Sequence, residues 1–314
     1  LFHASTAAVV DALAELGADI NARDENGLPA LYCAYPLDVA RALVAHGADV
    51  RARGEFGWTA LHMEEILRIE RREIIEFLLA CGADINARDE MGQTPLHEAK
   101  KADIANLLLS LGADVTIADD FGHTALHDAA AHRGSDLVRC LIAHAAAVDA
   151  RDRQGNTPLH LSREKGSAAA LLAGGAAVLA RNDAGETPLH LARDADIADC
   201  LLAAGADLNA RDTAGNTPLC KMPPYHGCET ITALLLRRGA DPKVRNAVRR
   251  TPLHNAVAFG GPSITLLLDA GAEVNAVDMD GLTALDLALE WKHDGGERAG
   301  ALMARGAKKG SDFH

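Results

Sequence analysis

Six histidines in this chain share one local setting. His62, His97, His127, His160, His190 and His254 each close a tetrad of the form Thr-Pro-Leu-His or Thr-Ala-Leu-His. Imidazole is a common metal ligand and the side chain that titrates nearest neutral pH, so the pattern first points to a metal centre or to acid–base chemistry. The spacing argues against both. The rings fall one per repeat, about one helix-packing distance of 8–10 Å apart, whereas ligands of a single zinc ion must each come within about 2.1 Å of it. Cys220, His226 and Cys228 form a second ligand-like cluster, but Cys-x5-His-x-Cys lacks a fourth ligand and matches no common zinc spacing. No serine stands in a plausible His/Asp partner set, no Gly-rich strand-to-helix turn offers to cradle phosphate, and no paired carboxylates stand out. The expectation is a chain with no catalytic residue, no metal and no cofactor.

The elements that position these histidines are legible in Asp183–Asp212. Thr187 reads as an N-cap, and Pro188 follows where its missing N–H costs nothing. Leu189 and Ala192 give a short first helix a small apolar face. Ile197, Leu201 and Leu202 recur at helical spacing and give a second helix its buried stripe. Gly205 ends that helix, since glycine tolerates the left-handed conformation of a helix C-terminus. Asp212, Thr213, Ala214 and Gly215 then read as a tight turn.

The unit repeats along nearly the whole chain. Tetrads start at Thr59, Thr94, Thr124, Thr157, Thr187, Thr217, Thr251 and Thr283, with degenerate copies at Phe2 and Pro29, and Gly-Ala-Asp closes the second helix at Gly17, Gly47, Gly82, Gly112, Gly205 and Gly239. The Thr-Pro-Leu-His signature and the period resemble the ankyrin repeat. The resemblance implies an all-α ankyrin-repeat solenoid of about ten stacked helix-turn-helix units joined by β-hairpin-like loops. The array reads as one domain, 1–314, in which 1–22 is an incomplete first repeat and 278–314 a C-terminal capping repeat. In proteins of this kind the tetrad histidine hydrogen-bonds within and between repeats.

Composition fits that reading. The chain of 314 residues is 48% hydrophobic but only 4% aromatic, so its core is built from Ala, Leu, Val and Ile. No run of about 18 apolar residues encodes a membrane span, no signal peptide is visible, and the net charge of −13 disfavours a nucleic-acid binder. Six cysteines read as free thiols in a reducing compartment. A cytoplasmic location is expected, or the host cytosol if the chain belongs to a secreted effector. The abundance of Ala and the excess of Arg over Lys point to a GC-rich, bacterial source. The first half-repeat is cut, so the native chain is expected to extend upstream.

Several stretches break the pattern. Tyr32 replaces the tetrad histidine and Tyr35-Pro36 interrupts the unit; Met63–Glu73 lengthens the next. The tetrads at Thr94, Thr157 and Thr187 are each followed by another after 30 residues, which reads as a trimmed inter-helix turn. Pro223 and Pro224 end a first helix early. Arg249 stands where other turns carry Gly. Trp291 is placed over the last core, and Lys308–His314 is expected to fray.

Two surfaces are candidates for recognition. In the Asp-x-x-Gly-x-Thr turn the x positions project outward without fold duty and are free to carry binding residues. Phe56, Met91 and Phe121 occupy the same tip position in three successive units, flanked by Trp58 and His123; an exposed apolar stripe of this kind marks a partner surface. The later tips are Gln154, Ala184, Ala214 and Val248. The second candidate is a basic patch of Arg237, Arg238, Lys243, Arg245, Arg249 and Arg250, suited to an acidic partner or a phosphate. Two further columns read as structural. Arg23, Arg88, Arg151, Arg181, Arg211 and Arg245 beside Asp or Asn form a ladder of alternating charge. Asn21, Asn86, Asn209 and Asn275 resemble asparagines hydroxylated in some eukaryotic ankyrin proteins, but read as hairpin hydrogen bonding. The resulting expectation is a monomeric protein–protein interaction module or scaffold that binds a protein partner through its concave and hairpin-tip surface, with no nucleic-acid or membrane partner. The alternative is the targeting arm of a larger enzyme or effector.

Overall fold

The computed structural model describes every residue except 26, 35, 64–71, 222–227, 258–260, 291–294 and 314. Among the described residues the chain is helical, with no strand; isolated antiparallel bridges join Arg23 to Pro29, Ala118 to Thr124 and Val277 to Thr283. By internal contact it divides into two compact units, residues 1–129 with 133–147, and residues 130–132 with 148–314.

The first unit contains α1 (Ala7–Glu15), α2 (Leu37–Ala45), α3 (Arg72–Ala80), α4 (Pro95–Glu98), α5 (Ala102–Ser110), most of α6 (Ala125–His132) and α7 (Ser135–Ala143). The second holds α8 (Pro158–Leu161), α9 (Lys165–Ala173), α10 (Ala195–Ala203), α11 (Cys228–Arg237), α12 (Pro252–Ala256), α13 (Gly261–Asp269), α14 (Ala284–Glu290) and α15 (Gly295–Met303). Where α4 or α8 would have a counterpart, Ala30–Cys33, Ala60–His62, Pro188–Leu191 and Pro218–Cys220 form 3-10 turns. The second helices stack in sequence: α1 on α2, α2 on α3 and α5 on α7 in the first unit, α9 on α10, α10 on α11, α11 on α13 and α13 on α15 in the second.

Two rows of leucine-sized side chains fill the space between layers. Leu43, Ile75, Leu108 and Leu141 from the second helices are fully buried in the first unit, as are Leu171, Leu201 and Leu302 in the second. The tetrad leucines form the other row, from Leu31 to Leu285, none more than 4% exposed. Burying each contributes about 1.5–3 kcal/mol, and because each layer buries its apolar face only on its neighbours, that energy enforces stacking.

The 30-residue units lose their residues in a different place from the one the spacing suggested. The second helix keeps nine residues, whereas α4 and α8 are single turns ended by extended residues at Ala99 and Ser162. The longer unit keeps an eight-residue α6 and closes it with Gly134 at φ 83°. The deletion therefore comes out of the first helix, while the connection after it is three residues in the short units, 99–101 and 162–164, against two, 133–134, in the long one. A first helix can shrink because its tetrad supplies most of the buried contact; the second cannot without losing its leucine stripe.

The C-terminal stretch is also more ordered than expected. Gly310–Phe313 forms a 3-10 turn, Gly310 N–H donates to Asp286 Oδ2 at 2.7 Å, and Lys308 N–H to Asn275 Oδ1 at 2.8 Å. The Tyr35 break, most of the Met63–Glu73 insertion, the Pro223-Pro224 interruption and Trp291 lie outside the described residues.

Candidate partner-binding site

The tetrad builds the base on which each turn sits. In six tetrads Thr and His form a reciprocal capping box. Thr94 N–H, for example, donates to His97 Nδ1 at 3.1 Å, and the Thr94 hydroxyl lies 2.9 Å from the same nitrogen. The other ring nitrogen reaches the following turn: His62 Nε2 to Gln93 O, His97 to His123 O, His160 to Glu186 O, His190 to Asn216 O and His254 to Leu282 O, all at 3.0–3.2 Å. A carbonyl can only accept, so Nε2 carries the proton and Nδ1 is bare. Burial pushes the pKa of these five histidines down, opposed by the carbonyl bonds and nearby carboxylates. Such rings are structural posts.

Tyr32, the exception in sequence, does the same work. Its buried hydroxyl lies 2.8 Å from Ala52 O and also within reach of Trp58 O, the carbonyl equivalent to those taken by the histidines. Burial drives that phenol up to about 12. At Thr283 the box is made by Asp286, whose Oδ2 accepts from Thr283 N–H at 2.9 Å.

Most turns are then shaped by a leading Asp or Asn, the Phe56 turn, which leads with Gly54, being the exception. Asp89 Oδ1 accepts from Met91 N–H and Gln93 N–H, and Asp119 Oδ1 from Phe121 N–H and His123 N–H, all at 2.8 Å. The arginine column pairs mainly with backbone, which corrects the alternating-charge reading. Arg53 donates to Gly57 O at 3.1 Å and Arg88 O at 2.7 Å, Arg181 to Gly185 O at 2.8 Å and Arg211 O at 2.6 Å, and Arg211 to Gly215 O at 2.9 Å and Arg245 O at 2.8 Å. A guanidinium has enough donors in one plane to hold two carbonyls of successive turns. Each of these arginines is thus a clamp. The asparagine column bridges repeats as well: Asn21 donates to Gly47 O and accepts from Asp49 N–H, and Asn275 does likewise with Gly306 and Lys308.

On this frame the apolar tips stand outward. Phe56, Met91 and Phe121 are 55%, 48% and 56% exposed. Their carbonyls help fix the row: Glu90 N–H donates to Phe56 O and Asp120 N–H to Met91 O, each at 2.9 Å. The same link recurs in the second unit from Gln154, Ala184, Ala214 and Val248. Phe56 has φ 59°, a left-handed conformation costly for a bulky side chain.

Trp58 and His123 differ from those tips, and the expectation that every x position lacks fold duty is corrected here. The third x lends its carbonyl to the leading residue and to the post below: His123 O accepts from Asp119 N–H and His97 Nε2, and Trp58 O from Gly54 N–H and the Tyr32 hydroxyl. Trp58 also donates from Nε1 to Asp89 Oδ2 at 3.2 Å and packs on Phe56 at 5.8 Å. His123 stacks on His127 at 5.6 Å and meets Phe121 at 6.3 Å, so three rings lead from the exposed tip to a fully buried post. In the second unit two third-x residues, Asn156 and Asn216, accept from the leading asparagine of the next turn, Asn182 and Asn246, both at 2.8 Å.

Asp128, which no sequence signal singled out, lies beside these rings. Its Oδ1 is 3.9 Å from His123 Nδ1, and its Oδ2 is buried with no hydrogen-bond partner. Burial pushes its carboxyl up to about 6, with Asp119 and Glu98 adding and Arg133 and His123 opposing.

The basic patch is largely paired. Arg238 meets Asp199, Arg245 meets Glu273 at 3.0 Å, and Arg250 Nε meets the buried Asp278 at 3.0 Å. Arg249 is exposed at φ 61°. Cys33, Cys81, Cys140, Cys200 and Cys220 are free thiols. Cys220 takes the tetrad histidine's place, its Sγ 3.6 Å from Thr217 Oγ1; His226 lies outside the described residues, as does the Cys228 side chain.

Comparison with known proteins agrees with this architecture. The family profile described as ankyrin repeats (3 copies) matches residues 1–89, 37–119, 100–182, 133–212 and 223–310. A 64-residue segment is 36% identical to the putative ankyrin repeat protein FPV244 of fowlpox virus (strain NVSL), covering 20% of this chain and 10% of that protein. A 70-residue segment is 39% identical to protein fem-1 homolog C of Xenopus laevis, covering 22% of this chain and 11% of the relative. The chain thus matches about a tenth of the length of these curated relatives.

Proposed function

This chain belongs to the ankyrin-repeat family, and from that premise we propose that it is a non-catalytic module that recognises a protein partner through the tip row of its first unit. One observation carries the reading. Phe56, Met91 and Phe121 are about half exposed on three successive turns whose backbones are hydrogen-bonded to one another. Large apolar side chains held rigidly in solvent lower the ordering cost of association, since the loop that bears them is already fixed. Trp58 and His123 act behind the row, setting the rotamers of Phe56 and Phe121 from positions that also hold the turns. Arg250 is committed to Asp278, which leaves Arg249, with Arg237 and Lys243, as the exposed cations of the second candidate surface.

The test is affinity capture from an extract of the source cell with the wild type, with Phe56→Ser/Met91→Ser/Phe121→Ser, and with a control altered at Gln154 and Ala214. Truncating a buried interface aromatic typically costs 2 kcal/mol or more, about thirtyfold in affinity. Loss of a captured band in the triple variant alone, with an unchanged circular dichroism spectrum, supports the reading. Unchanged capture by the triple variant rejects it.

A further inference from the structure

The three apolar tips are each preceded by an acid. Glu55-Phe56, Glu90-Met91 and Asp120-Phe121 are all exposed pairs. The second unit has no such run: its tips are Arg153-Gln154, Asp183-Ala184, Thr213-Ala214, Ala247-Val248 and Met279-Asp280. The first-unit row is also fixed in register by the Phe56–Glu90 and Met91–Asp120 backbone bonds, and the Glu90 stem lies over Gly57, where an added Cβ would meet its Cγ at 3.0 Å. The acids are therefore held beside the apolar side chains. Arg88 reaches Asp120 at 3.1 Å and offsets part of its charge, which leaves Glu55 and Glu90 as the main exposed negative groups. Below the row, Asp128 adds a further carboxylate, with Glu98 close enough to raise its proton affinity.

Resting on the reading of this row as the partner surface, we infer that its occupant is an extended peptide segment in which every third residue is apolar and is followed by lysine or arginine. Apolar residues of the partner cover Phe56, Met91 and Phe121, and its cations lie between them against Glu55, Glu90 and Asp120. The period follows from stacking. Successive layers about 8–10 Å apart correspond to about three residues of a polyproline II chain, which rises about 3.1 Å per residue and returns to the same face every third residue, so the matching pattern is one apolar residue in three with a basic neighbour. Charge placed this way steers encounter and selects against acidic segments, because like charges opposed at a contact are costly.

The test uses the full chain and fluorescently labelled peptides of four Leu-Lys-Ser repeats, four Leu-Glu-Ser repeats and four Ala-Lys-Ser repeats, measured by fluorescence anisotropy at physiological salt. The Leu-Lys-Ser peptide is expected to bind at least about tenfold more tightly than either other peptide. It should weaken by a similar factor against Glu55→Gln/Glu90→Gln, and against the triple tip variant. Equal binding of the lysine and glutamate peptides overturns the inference. So does equal binding of the Leu and Ala peptides, which would reflect only the general attraction of an acidic protein. Absence of Leu-Lys-Ser binding overturns it too. The capture experiment separates the two levels: capture lost in the triple variant alongside any of these results keeps the surface and rejects the cationic occupant, whereas capture indifferent to the tips rejects both.

Discussion

Acidification should unfold this protein through its histidine posts. His62, His97, His160, His190 and His254 are buried, 2–4% exposed, and each uses a bare Nδ1 and a protonated Nε2 in two fixed bonds. A second proton at Nδ1 would lose the bond from the threonine backbone N–H and place a charge in an apolar layer. Their pKa values are accordingly pushed below the ordinary histidine value by burial. The unfolded chain binds these protons near pH 6.5 and the folded chain does not, so stability is fully present above about pH 6.5 and falls as pH drops towards the folded pKa values. A post that stays neutral between pH 7.5 and 5.5 loses about 1.4 kcal/mol over that interval. Five such posts set a ceiling of about 7 kcal/mol.

Asp128 opposes them. Its carboxyl, raised to about 6, takes up a proton in the folded state before the unfolded chain does, and so returns about 1 kcal/mol over the same interval. The expected outcome is a net loss below that ceiling, seen as a lower urea midpoint at pH 5.5 than at pH 7.5. The assay is urea unfolding followed by far-ultraviolet circular dichroism at pH 7.5 and 5.5, with the tautomers read by NMR of the imidazole nitrogens. A midpoint that holds or rises at pH 5.5, or tetrad rings that titrate at or above pH 6.5 in the folded chain, would refute the reasoning.

Other expectations follow from single residues. Ala145 and Arg249 adopt φ 62° and 61° at positions where other repeats carry Gly; Ala145→Gly and Arg249→Gly should each stabilise by about 0.5–1 kcal/mol, and a fall in thermal midpoint would contradict the strain argument. Phe56→Gly relieves the same strain at φ 59° while deleting a contact, so melting should hold or rise as capture of the partner declines; coupled loss of both would make Phe56 a packing residue. Arg181→Met should cost about 1 kcal/mol, the two carbonyl bonds being partly solvated, and Arg181→Lys nearly as much, since an ammonium lacks the planar fork; a wild-type midpoint for the lysine variant would sink the clamp. Cys33 is exposed, whereas Cys220 is 2% exposed with its thiol pushed up by burial. An alkylating reagent at pH 8 should label Cys33 first and Cys220 only on unfolding, as mass spectrometry of timed digests would show.

What the sequence disclosed is what depends on neighbours along the chain. A capping box spans three residues and a left-handed glycine acts where it stands, so Thr94, His97 and Gly112 announce themselves. The arginine clamps stayed hidden because their partners are main-chain carbonyls about 30 residues away, such as Arg211 O for Arg181, and a carbonyl has no sequence signature. Charge alternation was the available inference, and it named the wrong acceptor. Tyr32 looked like a lapse in the pattern because the tetrad was defined by residue type; what the layer requires is a buried donor that reaches the next turn, and a phenol supplies it. Asp128 gave no warning at all. Its burial and its orphaned oxygen depend on how His123 and Arg133 come to surround it.

The same hydrogen bonds explain why one position of the turn tolerates varied side chains and its neighbours do not. In the regular turns the leading Asp or Asn shapes the loop, the glycine allows the next turn to approach closely, and the third x offers its carbonyl to the post below, a histidine or, at Trp58, Tyr32. At Gly155, for instance, an added Cβ would sit 2.9 Å from Asp183 N. The second x is committed through its backbone alone: Phe56 O, Met91 O and Ala184 O accept from the next turn whatever side chain they carry. Its side chain is therefore the least constrained in the turn while its backbone is among the most constrained. A position of that kind can change from Phe to Gln to Ala along the array with little cost to folding, and any large apolar group it carries is presented in a fixed direction. That freedom is what lets the position carry Phe56, Met91 and Phe121 in the first unit, and Ala184, Ala214 and the 47% exposed Val248 in the second.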